Sequence, residues 1–193
     1  MPNNKEVDAT LTKLAADKGL QMPMAKLLEH RSKTGEPKSA RYWAVADFTR
    51  NSTQPRLFIF DSNGAGSVKS YLCAHGKGSE GEKDDGLPTV FLNVKDSEAS
   101  SLGIYRCAET YTGKHGASMR LDGLEPTNSL ARDRCIVVHS AEYVSPKWIK
   151  DTGRIGRSQG CFVVEEPRRS EVISALKNGS LLIAWHQTYS LAG

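Results

Sequence analysis

The hydrophobic spacing of this 193-residue chain changes character near residue 40, and that change limits the folds open to it. Upstream, Val7, Leu11, Leu14 and Ala15 recur every three to four residues, the spacing of one helix face. Gly19 is placed to stop that helix, and Pro23 to open a second one carrying Ala25, Leu27 and Leu28. Residues 31–39, rich in Ser, Lys, Gly and Pro, then read as a linker. Downstream the period falls to two. Residues 42–48 and 57–60 alternate, the Asp61-Ser62-Asn63-Gly64-Ala65-Gly66 turn follows, and a return strand runs through Val68, Tyr71 and Cys73. Residues 76–88 read as an exposed loop, and strand-like runs resume at 102–107, 118–121, 135–138 and 181–185. Two short helices interrupt them, one opened by Ser145-Pro146 and one by Pro167, the latter stopped by Asn178-Gly179. No strand–helix–strand alternation is evident. The expectation is a helical arm and linker over 1–39 and a mainly β domain over 40–193, one domain's worth of chain.

Several functional classes fall away. Nothing resembles a run of about 18 apolar residues, so no membrane span is expected. The net charge of +4 is spread along the chain without a basic block, which argues against a dedicated nucleic-acid binder but leaves room for an anionic partner. The four cysteines lack C-x-x-C spacing, against a zinc ribbon or a thioredoxin-like site. Cys73, Cys107 and Cys135 lie in strand-like runs and are expected in the core, with Trp43, Trp148 and Trp185 as packing aromatics. The N-terminus carries no apolar leader.

Chemistry concentrates between Cys135 and Cys161. An apolar run, Cys135-Ile136-Val137-Val138, ends on His139-Ser140. Arg157-Ser158-Gln159-Gly160-Cys161 later leads into a second apolar run, Phe162-Val163-Val164. A strand delivering a histidine and a tight turn delivering a cysteine make a Cys–His arrangement, in which the base generates the thiolate nucleophile. Gly160 permits an unusual backbone conformation and leaves no side chain over the thiol. The same residues also suit plain packing, since a lone cysteine before a strand is usually a small buried hydrophobe.

His139-Ser140 followed by Ser158-Gln159-Gly160-Cys161 resembles the signature of L,D-transpeptidases, the YkuD-like family that remodels bacterial peptidoglycan. In order along the chain, similarity to the murein L,D-transpeptidase catalytic-domain branch extends to Arg56-Leu57-Phe58-Ile59-Phe60-Asp61, Ala74-His75-Gly76-Lys77-Gly78-Ser79, Ser101-Leu102-Gly103-Ile104-Tyr105, Glu109-Thr110-Tyr111-Thr112-Gly113-Lys114-His115-Gly116, Arg120-Leu121-Asp122-Gly123-Leu124 and Gly153-Arg154-Ile155-Gly156-Arg157-Ser158. The resemblance implies a sandwich-like catalytic domain with short flanking helices. It implies Cys161 as nucleophile, His139 as base, and Ser140 as the residue whose carbonyl orients the imidazole. It assigns the oxyanion to the N–H groups of Cys161 and Gly160, with Ser158 bracing the turn. Gln159 departs from the histidine most of the family carries there, which bears on substrate geometry at the turn.

The implied substrates are peptidoglycan stem peptides, cross-linked through a thioester or trimmed by water. Their carboxylates would suit Arg154, Arg157 or Lys114. His75 and His115, each followed by glycine, are expected in loops near the site, and Tyr111 as a hydrogen-bond donor to substrate; turn packing is the other reading of each. No cofactor or metal is called for, a monomer is expected, and the implied location is periplasmic or cell-wall. The missing leader is then explained by trimming or by a specialised export route. Two other readings use the same residues. One is a non-catalytic peptidoglycan-binding module, and the other a metal hydrolase built on His75, His115 and His139.

Overall fold

The computed structural model describes residues 4–37 and 40–191. In chain order its elements are α1 (Asn4–Ala16), α2 (Gln21–Thr34), β1 (Tyr42–Asp47), β2 (Leu57–Asp61), β3 (Ser67–Tyr71), β4 (Gly103–Gly113), β5 (Gly116–Gly123), β6 (Val137–Ser140), α3 (Pro146–Thr152), β7 (Phe162–Val164), α4 (Arg169–Leu176) and β8 (Leu181–Trp185). The strands form one mixed sheet in the order β3-β2-β1-β8-β4-β5-β6-β7. The mainly β, sandwich-like fold with short helices is therefore the one expected.

Strand alternation gives the sheet two buried faces. On one, Trp43 and Val45 of β1 join Phe58, Phe60, Ile104 and Ile183 beneath Leu11, Ala15, Met24 and Leu27 of the arm. On the other, Ala44, Ala46 and Phe48 meet Tyr105, Met119, Leu121 and Phe162, capped by Val172, Ile173 and Leu176 of α4. Leu11 and Leu27 are wholly buried, each contributing about 1.5–3 kcal/mol of apolar transfer. Trp43 and Trp185 are core residues as expected. Trp148 is a packing aromatic outside the core: it lies over a third exposed on the short α3, edge-on to Tyr143.

The helix boundaries differ from the reading of the sequence at the linker. α2 runs through Arg31 to Thr34 and ends on Gly35 in the left-handed conformation. Arg31 accounts for this, because its guanidinium lies 5.2 Å over the Trp43 ring and pairs with Asp8 of α1. A residue that looks like linker by composition is a tertiary anchor. The remaining linker positions Lys38 and Ser39 lie outside the described residues.

The topology also departs from the expected absence of strand–helix–strand units. β6 and β7 pair in parallel, with Val138 opposite Phe162 and His139 opposite Val163, and the connection between them carries α3. Parallel neighbours require a crossover of about a dozen residues or more. Here the crossover occupies residues 141–161 and carries the most informative part of the sequence to the sheet margin. Among the described residues no helix is long and apolar enough to cross a membrane.

Candidate active site

The register between β6 and β7 brings the predicted pair together. His139 lies opposite Val163, so Cys161, two residues before Val163, projects on the same face of the sheet one step back. Both side chains line a cavity of about 450 Å³ together with Tyr111, Lys114, His115, Arg134, Cys135, Val137, Tyr143, Arg157, Ser158 and Gln159.

His139 is nearly buried, and its Nδ1 lies 3.0 Å from the Ser140 carbonyl oxygen. A carbonyl only accepts, so Nδ1 carries the proton in this contact and Nε2 keeps its lone pair. The His115 ring stacks on His139 with centroids 4.3 Å apart and planes 20° from parallel. Burial, then the neighbouring His115 and Lys114 charges, lower the His139 pKa, although the Ser140 contact acts in the opposite sense. The imidazole is thus held neutral, the state a general base needs.

The Cys161 thiol points to the Cys135 carbonyl oxygen at 3.6 Å. Burial raises its pKa, opposed by a backbone hydrogen bond from Val137 and by the charges of Arg134 and Lys114. The turn before it is closely specified. Ser158 Oγ donates to the Cys161 carbonyl (2.7 Å) and accepts from the Gly160 N–H (3.1 Å). That second bond occupies the Gly160 donor, so the backbone N–H expected to share the oxyanion already has a partner. Gly160 has φ +107°, and a Cβ there would sit 2.7 Å from the Ala99 carbonyl oxygen and 2.9 Å from Ile136. The need for glycine is a close approach on the far side of the turn, beyond the open space over the thiol.

Other predicted residues divide. Lys114 and His115 form the two-residue turn of the β4–β5 hairpin, the loop position expected for His115, and with Tyr111 of β4 they line the cavity. Gln159 donates to Glu98 Oε1 at 3.0 Å. Arg157 reaches the cavity, yet its guanidinium pairs with Asp84 (2.8 Å). Arg154 binds the same carboxylate (2.9 Å) and does not line the cavity. The two arginines pin Asp84, in the loop that composition marked as exposed.

His75 stands apart from the cavity. Its side chain is 1% exposed, with Nδ1 2.6 Å from Arg56 Nη2 and Nε2 2.8 Å from Glu80 Oε1. Arginine can only donate, so Nδ1 accepts and Nε2–H donates to the carboxylate. Burial, followed by the repulsion of Arg56, outweighs Glu80 and lowers the His75 pKa to about 4. What His75 supplies toward the site is backbone: its carbonyl accepts from the Ser158 N–H (2.9 Å), and Lys77 N–H binds the Ser158 carbonyl (2.7 Å). The three histidines of a metal-site reading do not converge, since only His115 and His139 meet.

Four lining residues were not singled out by the sequence: Arg134, Cys135, Val137 and Tyr143. Parity was the available signal for two, because Cys135 and Val137 share the odd positions of His139 on an apolar run. Cys135 also corrects the expectation of a core cysteine. It is exposed, sits at φ +55° just before β6, and faces the cavity, whereas Cys73 and Cys107 are buried; all four are free thiols.

A family model described as L,D-transpeptidase catalytic domain matches residues 15–185. No curated protein matches the sequence. Among solved structures, an L,D-transpeptidase from Mycobacterium smegmatis is similar at 14% identity and TM-score 0.45, over 77% of this chain and 60% of that one. An L,D-transpeptidase from Stackebrandtia nassauensis is similar at 12% identity and TM-score 0.45, over 94% of this chain and 90% of that one. L,D-transpeptidase 1 of Mycobacterium tuberculosis is similar at 11% identity and TM-score 0.40, over 76% and 62%. The chain thus spans about three fifths of the length of the mycobacterial proteins.

Proposed function

Since the chain belongs to the L,D-transpeptidase catalytic-domain family, we propose that it is a cysteine acyltransferase acting on peptidoglycan stem peptides outside the cytoplasmic membrane. The observation that carries the proposal is the convergence of Cys161 and His139 in one cavity, with the imidazole held in the tautomer that leaves Nε2 free.

The chemistry is two acyl transfers. Rotation of the thiol away from the Cys135 carbonyl brings it to His139, whose Nε2 takes the proton. The thiolate attacks the carbonyl of the third stem residue, and the Cys161 N–H stabilises the oxyanion. Collapse breaks the L,D amide bond, the imidazolium protonates the departing D-amino acid nitrogen, and a thioester remains. An amine from a second stem then attacks the thioester to form a cross-link, or water attacks it to release a trimmed stem. In either case His139 removes the nucleophile's proton and returns it to sulfur. Ser140 fixes the ring tautomer, as a neutral orienter does in a triad. Lys114 on the hairpin tip supplies positive charge for the donor's carboxylates.

Intact-mass spectrometry after incubation with a carbapenem tests this reading. A stoichiometric adduct located on Cys161 is expected, absent in Cys161→Ala and formed about 10²–10⁴-fold more slowly in His139→Ala. Muropeptide analysis then separates cross-linking, seen as dimers, from trimming, seen as tripeptides. No adduct together with no change in tetrapeptide muropeptides would overturn the proposal.

A further inference from the structure

Arg134 is a cation held beside the nucleophile turn by neutral groups. Its Nη1 donates to the Leu92 carbonyl (2.9 Å) and lies 3.3 Å from Ser101 Oγ, while Nη2 donates to the Ala99 carbonyl (2.5 Å) and lies 3.4 Å from Ser97 Oγ. Among the described residues it makes no ion pair, in contrast to Arg154 and Arg157, which share Asp84. Holding a guanidinium in place with carbonyls and hydroxyls fixes its position, and none of these contacts neutralises its charge. The position is close to the chemistry. Nη2 lies 3.2 Å from where a Cβ on Gly160 would stand, against the backbone immediately before Cys161. The same residue lines the cavity that holds the thiol and an adjoining cavity, which it shares with Lys95, Asp96, Glu98, Asp133, Cys135 and Gln159; none of those carboxylates pairs with it.

We propose that Arg134 is the fixed positive charge that sustains the Cys161 thiolate, and so a functional residue that the Cys–His–Ser pattern does not contain. The inference rests on Cys161 being the nucleophile only for its consequence in catalysis, because ionisation of the thiol can be measured without turnover. When the Cys161 proton passes to His139 Nε2, a thiolate–imidazolium pair forms in a half-enclosed cavity, and Arg134, ionised throughout, offsets the burial of the anion. The groups facing the thiol are Tyr111, Lys114 and His115 from the hairpin, Cys135 before β6, His139 on β6, Tyr143 after it, and Arg157 on the thiol's own loop. Of the cations among them, Arg157 is paired with Asp84, and Lys114 is at the hairpin tip. The Arg134 charge also acts to lower the thiol's pKa, against the effect of burial.

The test is the pH dependence of iodoacetamide alkylation, in which the thiolate displaces iodide and forms a carbon–sulfur bond. The Cys161 peptide is read separately from those of Cys73, Cys107 and Cys135 by mass. Arg134→Gln should move the titration of Cys161 up by about one pH unit, a roughly tenfold slower alkylation near neutrality. Arg134→Lys should restore it, although the lysine cannot rebuild the four-way contact and should lower the thermal midpoint. Arg134→Met serves as the second neutral variant if Arg134→Gln does not fold. A folded neutral variant whose Cys161 titrates as in the wild type would overturn the proposal and leave Arg134 as a tie between loops. So would Arg134→Lys titrating as high as the neutral variants. A shifted titration in a protein that forms no carbapenem adduct would uphold the role of Arg134 and reject the acyltransferase reading.

Discussion

Gly160 and His75 carry out work that their neighbours in sequence do not reveal. Alanine at 160 would meet the Ala99 carbonyl while occupying a backbone region that costs a non-glycine residue about 1–3 kcal/mol. Gly160→Ala should therefore lose at least about 2 kcal/mol in denaturant unfolding, and its carbapenem adduct should form at least tenfold more slowly because the thiol is displaced. His75 should show itself in stability against pH. Its folded pKa is depressed, so as pH falls the unfolded chain binds the proton first. Stability is complete above about pH 6.5 and is lost as pH falls toward about 4, by up to roughly 3 kcal/mol. Glutamine can accept from Arg56 and donate to Glu80 without titrating. The thermal midpoint of His75→Gln should accordingly fall less than that of the wild type between pH 6.5 and 4.5. The residues of the proposed site were legible in the sequence where they lie on a strand end or in a glycine turn, as His139 and Cys161 do. Arg134 and Tyr143 were not, because their proximity to the thiol depends on how separate segments meet. His75 was misleading for the opposite reason: it neighbours the turn in space, but its side chain faces away into a buried Arg56–His75–Glu80 chain.

At the level of elements, the informative object is the β6–α3–β7 crossover. Ladder hydrogen bonds set the offset between His139 and Cys161, and α3 takes no part in that offset, since none of its residues is buried. Ile149 packs against the Leu72–Val144–Val163 cluster, and the rest of α3 depends on local chemistry. Ser145 Oγ accepts from the Trp148 N–H at 3.1 Å, Pro146 opens the helix, and Gly153 closes it. Ser145→Ala should weaken this helix by about 1 kcal/mol. Because α3 is peripheral, the loss should appear as faster hydrogen exchange of the α3 amides, with the global unfolding midpoint nearly unchanged. The capping pattern was readable from Ser145-Pro146 alone. The parallel pairing was not, because strands as short as β6 and β7 carry apolar runs that fit either direction of pairing.

Across the whole molecule, the change of hydrophobic period at residue 40 marks a change of element type and leaves the two parts in one shared core. The arm supplies Leu11, Ala15, Met24 and Leu27 to a sheet face that holds Trp43, Phe58, Phe60 and Ile183. Leu27→Ala should cost about 2–5 kcal/mol. At roughly 2–4 °C per kcal/mol for a protein of this size, the midpoint should drop by about 4–20 °C in a single cooperative transition. A separate low-temperature transition of the arm, with the main midpoint unmoved, would show the arm to be an independent appendage. The crossover has a wider consequence. Strand pairing closes the segment between the two reactive residues at both ends, and doubling the length of a flexible loop adds only about 0.6 kcal/mol of closure entropy. The stretch from Ala141 to Arg157, ahead of the Ser158 turn, is thus a site where insertions and deletions can accumulate without moving imidazole or sulfur. Variation in this segment would reshape the Tyr143 side of the cavity, and with it the substrates admitted, while the reaction centre stays unaltered.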